Sequence, residues 1–132
     1  MQPRGASIIF VNDENNVLLF LRDDFQHIKY PNMWDIPGGQ IEACETPDEC
    51  IVREIKEELG IHLTDFQLFE QREFPDRIEY TFWKRQNMDI KEVVLTEGQV
   101  LRWFTRHEVA TTNLAFGFNC TIESFFERLP FL

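Results

Sequence analysis

Hydrophobic positions come in short runs separated by polar clusters, and the spacing of each run predicts an element. Residues from about Ala6 to Val11 and from Val17 to Arg22 are two β-rich runs joined by Asn12-Asp13-Glu14-Asn15-Asn16, which reads as a hairpin. A polar loop containing Pro31 and Trp34 follows and ends in Pro37-Gly38-Gly39. The next pattern is the clearest helix. Thr46-Pro47-Asp48-Glu49 sets an N-cap Thr, a Pro at the first helical position and a Glu at the third, the components of a capping box. Ile51, Ile55 and Leu59 recur every four residues as its apolar stripe, and Gly60 stops it. Beyond it, runs near Phe66–Phe74 and Ile78–Trp83 read as strands joined by a turn at Pro75-Asp76-Arg77, and Val100–Phe104 as another strand. From about Cys120 to Leu129, Ile122, Phe125, Phe126 and Leu129 share one helical face. This order predicts an α/β or α+β domain whose mixed sheet packs between helices.

Length and composition narrow the picture. The chain has 132 residues, enough for one core, so residues 1–132 are read as a single domain. The longest apolar runs fall far short of a bilayer span, and the N-terminus lacks the apolar stretch of a secretory signal. Cys44, Cys50 and Cys120 make an odd count without metal-type pairing, so free thiols in a reducing, cytoplasmic setting are expected. The net charge is −10. Between Asp35 and Glu58, eight acids face only Arg53 and Lys56. Such a surface repels a nucleic-acid backbone, which argues against an extended nucleic-acid footprint. The acid-rich stretch is then either a solvated helix face or a site that holds divalent cations.

Spacing bears on that choice. Glu54, Glu57 and Glu58 stand at i, i+3 and i+4 on the predicted helix, in one sector beside the apolar stripe. Like charges at this spacing destabilise a helix by a few tenths of a kcal/mol per pair. Mg²⁺ or Mn²⁺ would supply the missing positive charge, with carboxylates and substrate phosphates as oxygen ligands. Arg53 can pair with Glu49 or Glu57 and fix a carboxylate's direction. The helix face alone leaves the solvated reading ahead.

The wider pattern changes the balance. Gly39, Glu45, Arg53-Glu54-Ile55, Glu57-Glu58 and Gly60-Ile61 fill every fixed position of the Nudix box, spanning residues 39–61. With a background frequency of about 6% per position, chance agreement is on the order of 10⁻⁹ per start. Trp34-Asp35-Ile36-Pro37-Gly38-Gly39 also looks like the usual lead-in, so the chain resembles the Nudix hydrolases. The resemblance implies an α/β/α sandwich, with the box helix on one side, and hydrolysis of a diphosphate linked to another moiety, commonly a nucleoside. It implies Glu54, Glu57 and Glu58 as metal ligands with the Gly39 carbonyl, joined by Glu97 from a later loop, and Glu45 and Arg53 as supports. Metals would neutralise the phosphate oxygens and lower the pKa of the attacking water. Glu57 or Glu58 on the helix, or Glu97 from a later loop, would take the proton.

Similarity beyond the box points to the MutT-type branch, whose members cleave 8-oxo-dGTP to monophosphate and pyrophosphate. It rests on Phe74-Pro75-Asp76-Arg77, the Glu97-Gly98-Gln99 loop and Trp103. Arg22 and Arg77 are then substrate-side cations and Asn119 a reader of the purine edge; the competing role for Asn119 is capping the C-terminal helix. Two features depart from that branch. Asp23 stands where a basic residue is usual, and Phe116 and Phe118 lie in an apolar approach, read here as core. Dinucleoside polyphosphates and nucleotide sugars stay open as substrates, as does a non-catalytic nucleotide-sensing module, although such modules tend to lose box carboxylates. The expected partner is a nucleotide-type small molecule, and monomer and homodimer are both open.

Overall fold

One segment organises the molecule: the first strand, β1 (Arg4–Val11), in which every residue from Gly5 onward is buried. A strand covered on both faces reads as a continuous apolar run, which is how Ala6–Val11 looks in the sequence. The structure, a computed structural model, describes residues 2–132. β2 (Val17–Leu21) returns from the predicted hairpin, and β5 (Gln67–Phe74) and β6 (Arg77–Arg85) form the second antiparallel pair. β1 lies parallel to β6 along its whole length, from Arg4 opposite Ile78 to Val11 opposite Arg85, and β2 lies antiparallel to β7 (Val100–Phe104).

The loop expected before Gly39 instead holds two short strands, β3 (Trp34–Asp35) and β4 (Gly38–Gln40). β1 and β2 pair only at Val11 and Val17 and then diverge. β3 fills the gap along β2, and β4 along β1. The Pro37 carbonyl between them accepts a bond from the Ile8 amide at 2.9 Å. Runs of two and three residues carry too little periodicity to be read from sequence.

The seven-stranded mixed sheet separates two cores, because alternate strand residues face opposite sides. Ile8, Phe10, Leu18 and Phe82 meet α1 (Pro47–Leu59) through Ile51, Ile55 and Leu59. On the other face Ile9, Val11, Leu19 and Phe104 meet α2 (Arg106–Ala110) and α3 (Phe118–Arg128) through Val109, Ile122 and Phe125. This is the helix–sheet–helix sandwich that the element order implies. α2 is an addition to it, and its Thr105/Glu108 capping box is a signal of the kind that reveals α1.

Candidate active site

α1 begins and ends as its sequence dictates. The Thr46 hydroxyl accepts from the Glu49 amide at 3.1 Å, and the Glu49 carboxylate accepts from the Thr46 amide at 2.9 Å. Gly60 closes the helix at φ 69°, a conformation that costs glycine little. Arg53 is the hub of the next layer. Its Nε donates to Glu45 Oε2 at 2.7 Å and its Nη1 to Glu54 Oε1 at 2.8 Å, with Glu57 at 3.4 Å and the Gln40 carbonyl at 3.3 Å. The guanidinium and the Glu42 amide hold the Glu45 carboxyl down at about 2. Arg53 and Glu45 thereby fasten the loop before α1 to the helix, the supporting role expected of them. At Gly39 the backbone runs so close to the Glu54 carboxylate that a Cβ would overlap it, which accounts for glycine there. Cys50 lies beneath, and burial pushes its thiol up to about 12, out of the reactive range.

Glu58 departs from expectation. It is buried, inside the apolar stripe rather than beside it. Seven residues after Ile51 is about 700°, or 20° short of two full turns, so helix geometry puts the two side chains on one line. Burial, then the neighbouring Glu54, Glu97 and Asp35 carboxylates, raise the Glu58 carboxyl well above the usual range. Glu97 belongs to a loop fastened to the end of α1. The Thr96 hydroxyl donates to the Glu57 carbonyl at 2.6 Å, and the Thr96 amide to the Glu58 carbonyl at 3.2 Å. Asp23 accepts from the Gly98 amide at 3.1 Å, and the Gln99 side chain donates to the Arg22 carbonyl at 2.8 Å. The acid that departs from the MutT pattern therefore closes this loop. Thr96 and Gln99 are functional supports that sequence reasoning passed over, since a polar loop residue carries no sign of its partner.

The donor set is all oxygen, and a buried carboxylate surrounded by others without its own guanidinium suits a hard divalent cation. Glu54, Glu57, Glu58 and the Gly39 carbonyl thus fit Mg²⁺ or Mn²⁺ in chemistry. Among the described residues no three acidic, His or Cys side chains are gathered into a ready-made cage. Arg53 has drawn Glu54 and Glu57 towards itself, so ion binding calls for side-chain rotation.

Where β4 meets β1, a cavity of about 380 Å³ opens on the α3 side; Gly38, Gly39, Arg22, Arg77, Glu79 and Phe116 are among its lining residues. Arg22 donates to Asp35 Oδ2 at 3.2 Å and to the Lys29 carbonyl at 3.0 Å. Burial nevertheless lifts Asp35 to about 7 against the pull of Arg22. Arg77 opens β6 rather than standing in the turn, and its donors are already engaged. They reach Glu79 Oε1 at 2.7 Å, Asp76 at 3.0 Å and the Phe116 carbonyl at 3.0 Å. Its guanidinium also lies 4.1 Å from the Phe74 ring centroid and 5.3 Å from that of Phe118. Arg77 therefore shapes the cavity wall and holds Phe116, a residue at φ 57°, in place.

Two other expectations change. Phe116 is a half-buried wall of the cavity instead of a core residue, whereas Phe118 is buried as expected. Asn119 is absent from the residues lining the cavity. Its amide donates to the Thr112 carbonyl at 2.7 Å and the Val109 carbonyl at 3.4 Å, and its carbonyl accepts from the Leu114 amide at 2.8 Å. It clamps the link between α2 and α3 and does not cap α3, whose N-cap is Gly117. Arg53, Glu54, Glu57, Glu58, Glu97 and Gly39 thus lie along the middle and C-terminal part of α1 and the segments packed on it, Arg22 and Arg77 face the adjoining cavity, and Asn119 stands apart.

Comparison with known proteins bears on the family and the fold. An 8-oxo-dGTP diphosphatase from Escherichia coli (strain K12) is 38% identical over 100 residues, covering 74% of this chain and 75% of that one. The fold matches a MutT protein from Methanosarcina mazei Go1 at TM-score 0.76 and 23% identity, over 96% of this chain and 94% of that one. It also matches the NUDIX domain of Shewanella oneidensis NrtR, solved with ADP ribose, at TM-score 0.79 and 17% identity, over 98% and 89% of the two chains. The NUDIX domain profile matches residues 1–125, and with its box complete and its relatives named as diphosphatases, the chain belongs to the Nudix family as a pyrophosphohydrolase.

Proposed function

We propose that the protein hydrolyses a purine nucleoside triphosphate, normal or oxidised, to the monophosphate and pyrophosphate with Mg²⁺ or Mn²⁺. The observation that carries this reading is the contact, at Gly38–Gly39, between the carboxylate end of α1 and a cavity with cationic and aromatic walls. Support for an 8-oxo-dGTP-type substrate comes from the Escherichia coli relative. Glu54, Glu57 and Glu58, with the Gly39 carbonyl, would hold the ion. When bound, it supplies charge neutralisation for the diphosphate oxygens and acidifies the attacking water. Arg53 keeps the carboxylates in register across the helix face. Glu97, whose charge Glu58 already feels, receives the proton from the water. Arg22, next to Phe116 at 5.0 Å, faces the polyphosphate from the cavity side.

No helix is long and apolar enough to cross a membrane, and Cys44, Cys50 and Cys120 are unpaired. The test is a hydrolysis screen with and without Mg²⁺ across normal and oxidised deoxynucleoside triphosphates, dinucleoside polyphosphates and nucleotide sugars, with products identified. Metal-dependent release of pyrophosphate and monophosphate from a purine triphosphate is the expected result. Preference for a nucleotide sugar, the class to which the ADP ribose bound by the Shewanella neighbour belongs, overturns the substrate and keeps the family chemistry.

A further inference from the structure

Glu79 is a buried carboxylate in the cavity wall that hydrolysis, as described above, leaves unused. It extends from β6 on the face away from α1, since the next residue, Tyr80, and Phe82 beyond it point to the α1 core. Arg77 Nε binds its Oε1 at 2.7 Å, the Ser7 hydroxyl lies beside it, and no second guanidinium or ammonium pairs with it among the described residues. An ionised carboxylate offers about four acceptor positions, so acceptor capacity remains towards the cavity. The space is kept open by Gly5, opposite Glu79 in the β1–β6 ladder. A Cβ at residue 5 would lie 2.6 Å from Glu79 Oε1.

Charge is unevenly distributed around this cavity. Arg4, Lys29 and Arg22, the last paired with Asp35, supply cations elsewhere on its wall, while Glu79 repels any phosphate brought to it. What fits beside Glu79, in a cavity that Phe116 and Phe118 also line, is a flat group with adjacent N–H donors. Guanine and 8-oxoguanine present such a pair at N1–H and the 2-amino group. Adenine presents an acceptor at N1, which an ionised carboxylate repels. We propose that Glu79 is a specificity residue that accepts the paired N–H donors of a guanine-type base, and that Arg77 and Gly5 position its carboxylate. The inference rests on the nucleotide reading given above.

The test compares kcat/KM for dGTP and dITP, which differ only by the 2-amino group, in wild type, Glu79→Gln and Gly5→Ala. A hydrogen bond to a charged acceptor corresponds to about ten- to a hundredfold in selectivity. Wild type should prefer dGTP by that factor, and the ratio should collapse towards one in both variants. Loss of fold or of general activity lowers both substrates together and leaves the ratio intact, so a preserved preference in folded variants overturns the assignment. So does a wild-type enzyme indifferent to the 2-amino group. A ribose diol offers similar donors. If Glu79→Gln alters only the GTP/dGTP ratio, Glu79 reads the sugar and the base assignment falls. Calorimetric binding of dGMP and dIMP to the same three proteins keeps the two proposals separable. No turnover together with Glu79-dependent dGMP preference ends the hydrolysis reading alone; turnover without that preference ends the base-reading one.

Discussion

Glu58 and Glu79 are both buried glutamates with raised carboxyl pKa values, yet their surroundings are opposite. Glu58 sits on the α1 side of the sheet with Glu54, Glu97 and Asp35 as charged neighbours. Glu79 sits on the α3 side with Arg77 against it. A buried carboxylate among carboxylates is an unfavourable arrangement that an external cation relieves. One already paired with a guanidinium has no such need, and its spare lone pairs are suited to neutral donors. The same side chain is thus set for a metal on one face and for a hydrogen-bonding ligand on the other, by its neighbours alone.

The strongest challenge to this contrast is Glu58→Gln. If Glu58 is a metal ligand, turnover should fall by at least about a hundredfold. Stability in metal-free buffer should rise or hold, because glutamine removes the cost of protonating Glu58 on folding or of burying its charge. Matched activity assays and thermal melts measure the two effects. Full activity, or a large loss of stability, would remove Glu58 from the metal site and erase its difference from Glu79.

How far each region is legible in the sequence follows from the range of its interactions. The box helix is local: Thr46 bonds Glu49, Arg53 reaches Glu54 and Glu45, and Gly60 caps the end. Spacing therefore shows its limits and its chemistry, but placing the three glutamates together beside the stripe misses the burial of Glu58, which the seven-residue interval from Ile51 encodes. The cavity wall is non-local. Glu79 acquires its character from Gly5 and Arg77, and Arg77 from Phe116, thirty-nine positions away. No pattern within β6 separates Glu79 from an outward-facing acid, because that depends on a parallel neighbour and a distant loop. Asn119 is similar: its three backbone partners lie in the preceding link, and a motif supplies only its position.

A pH series sharpens the comparison with a smaller effect. Asp35 titrates near 7 in the folded protein against 3.8 for the free side chain, and Glu58 is also raised. Between the unfolded and folded values the native state binds more protons than the unfolded chain. Stability must therefore decline as pH rises through that window, starting near pH 4, with Asp35 contributing its share by about pH 7. Metal-free melts should show this decline, Glu58→Gln should flatten its alkaline part, and saturating Mg²⁺ should oppose it. An unchanged slope in the variant would mean that Glu58 is ionised without penalty, contrary to its surroundings.

The smallest expected effect separates motif from geometry at Asn119. As a reader of the purine edge, its replacement by Ala would raise KM on an intact fold. As the clamp between α2 and α3, it contributes hydrogen bonds that hold the Val109–Leu114 backbone. Net values of about 0.5–1.5 kcal/mol per bond predict a loss of about 1.5–4.5 kcal/mol in denaturant unfolding. Because the clamp precedes Phe116, a modest fall in activity should accompany that loss, equal for dGTP and dITP. Glu79→Gln should do the reverse and change the dGTP/dITP ratio itself. If Asn119→Ala collapses that ratio while stability stays unchanged, base recognition moves from β6 to α3, and the contrast between the two buried glutamates loses one of its terms.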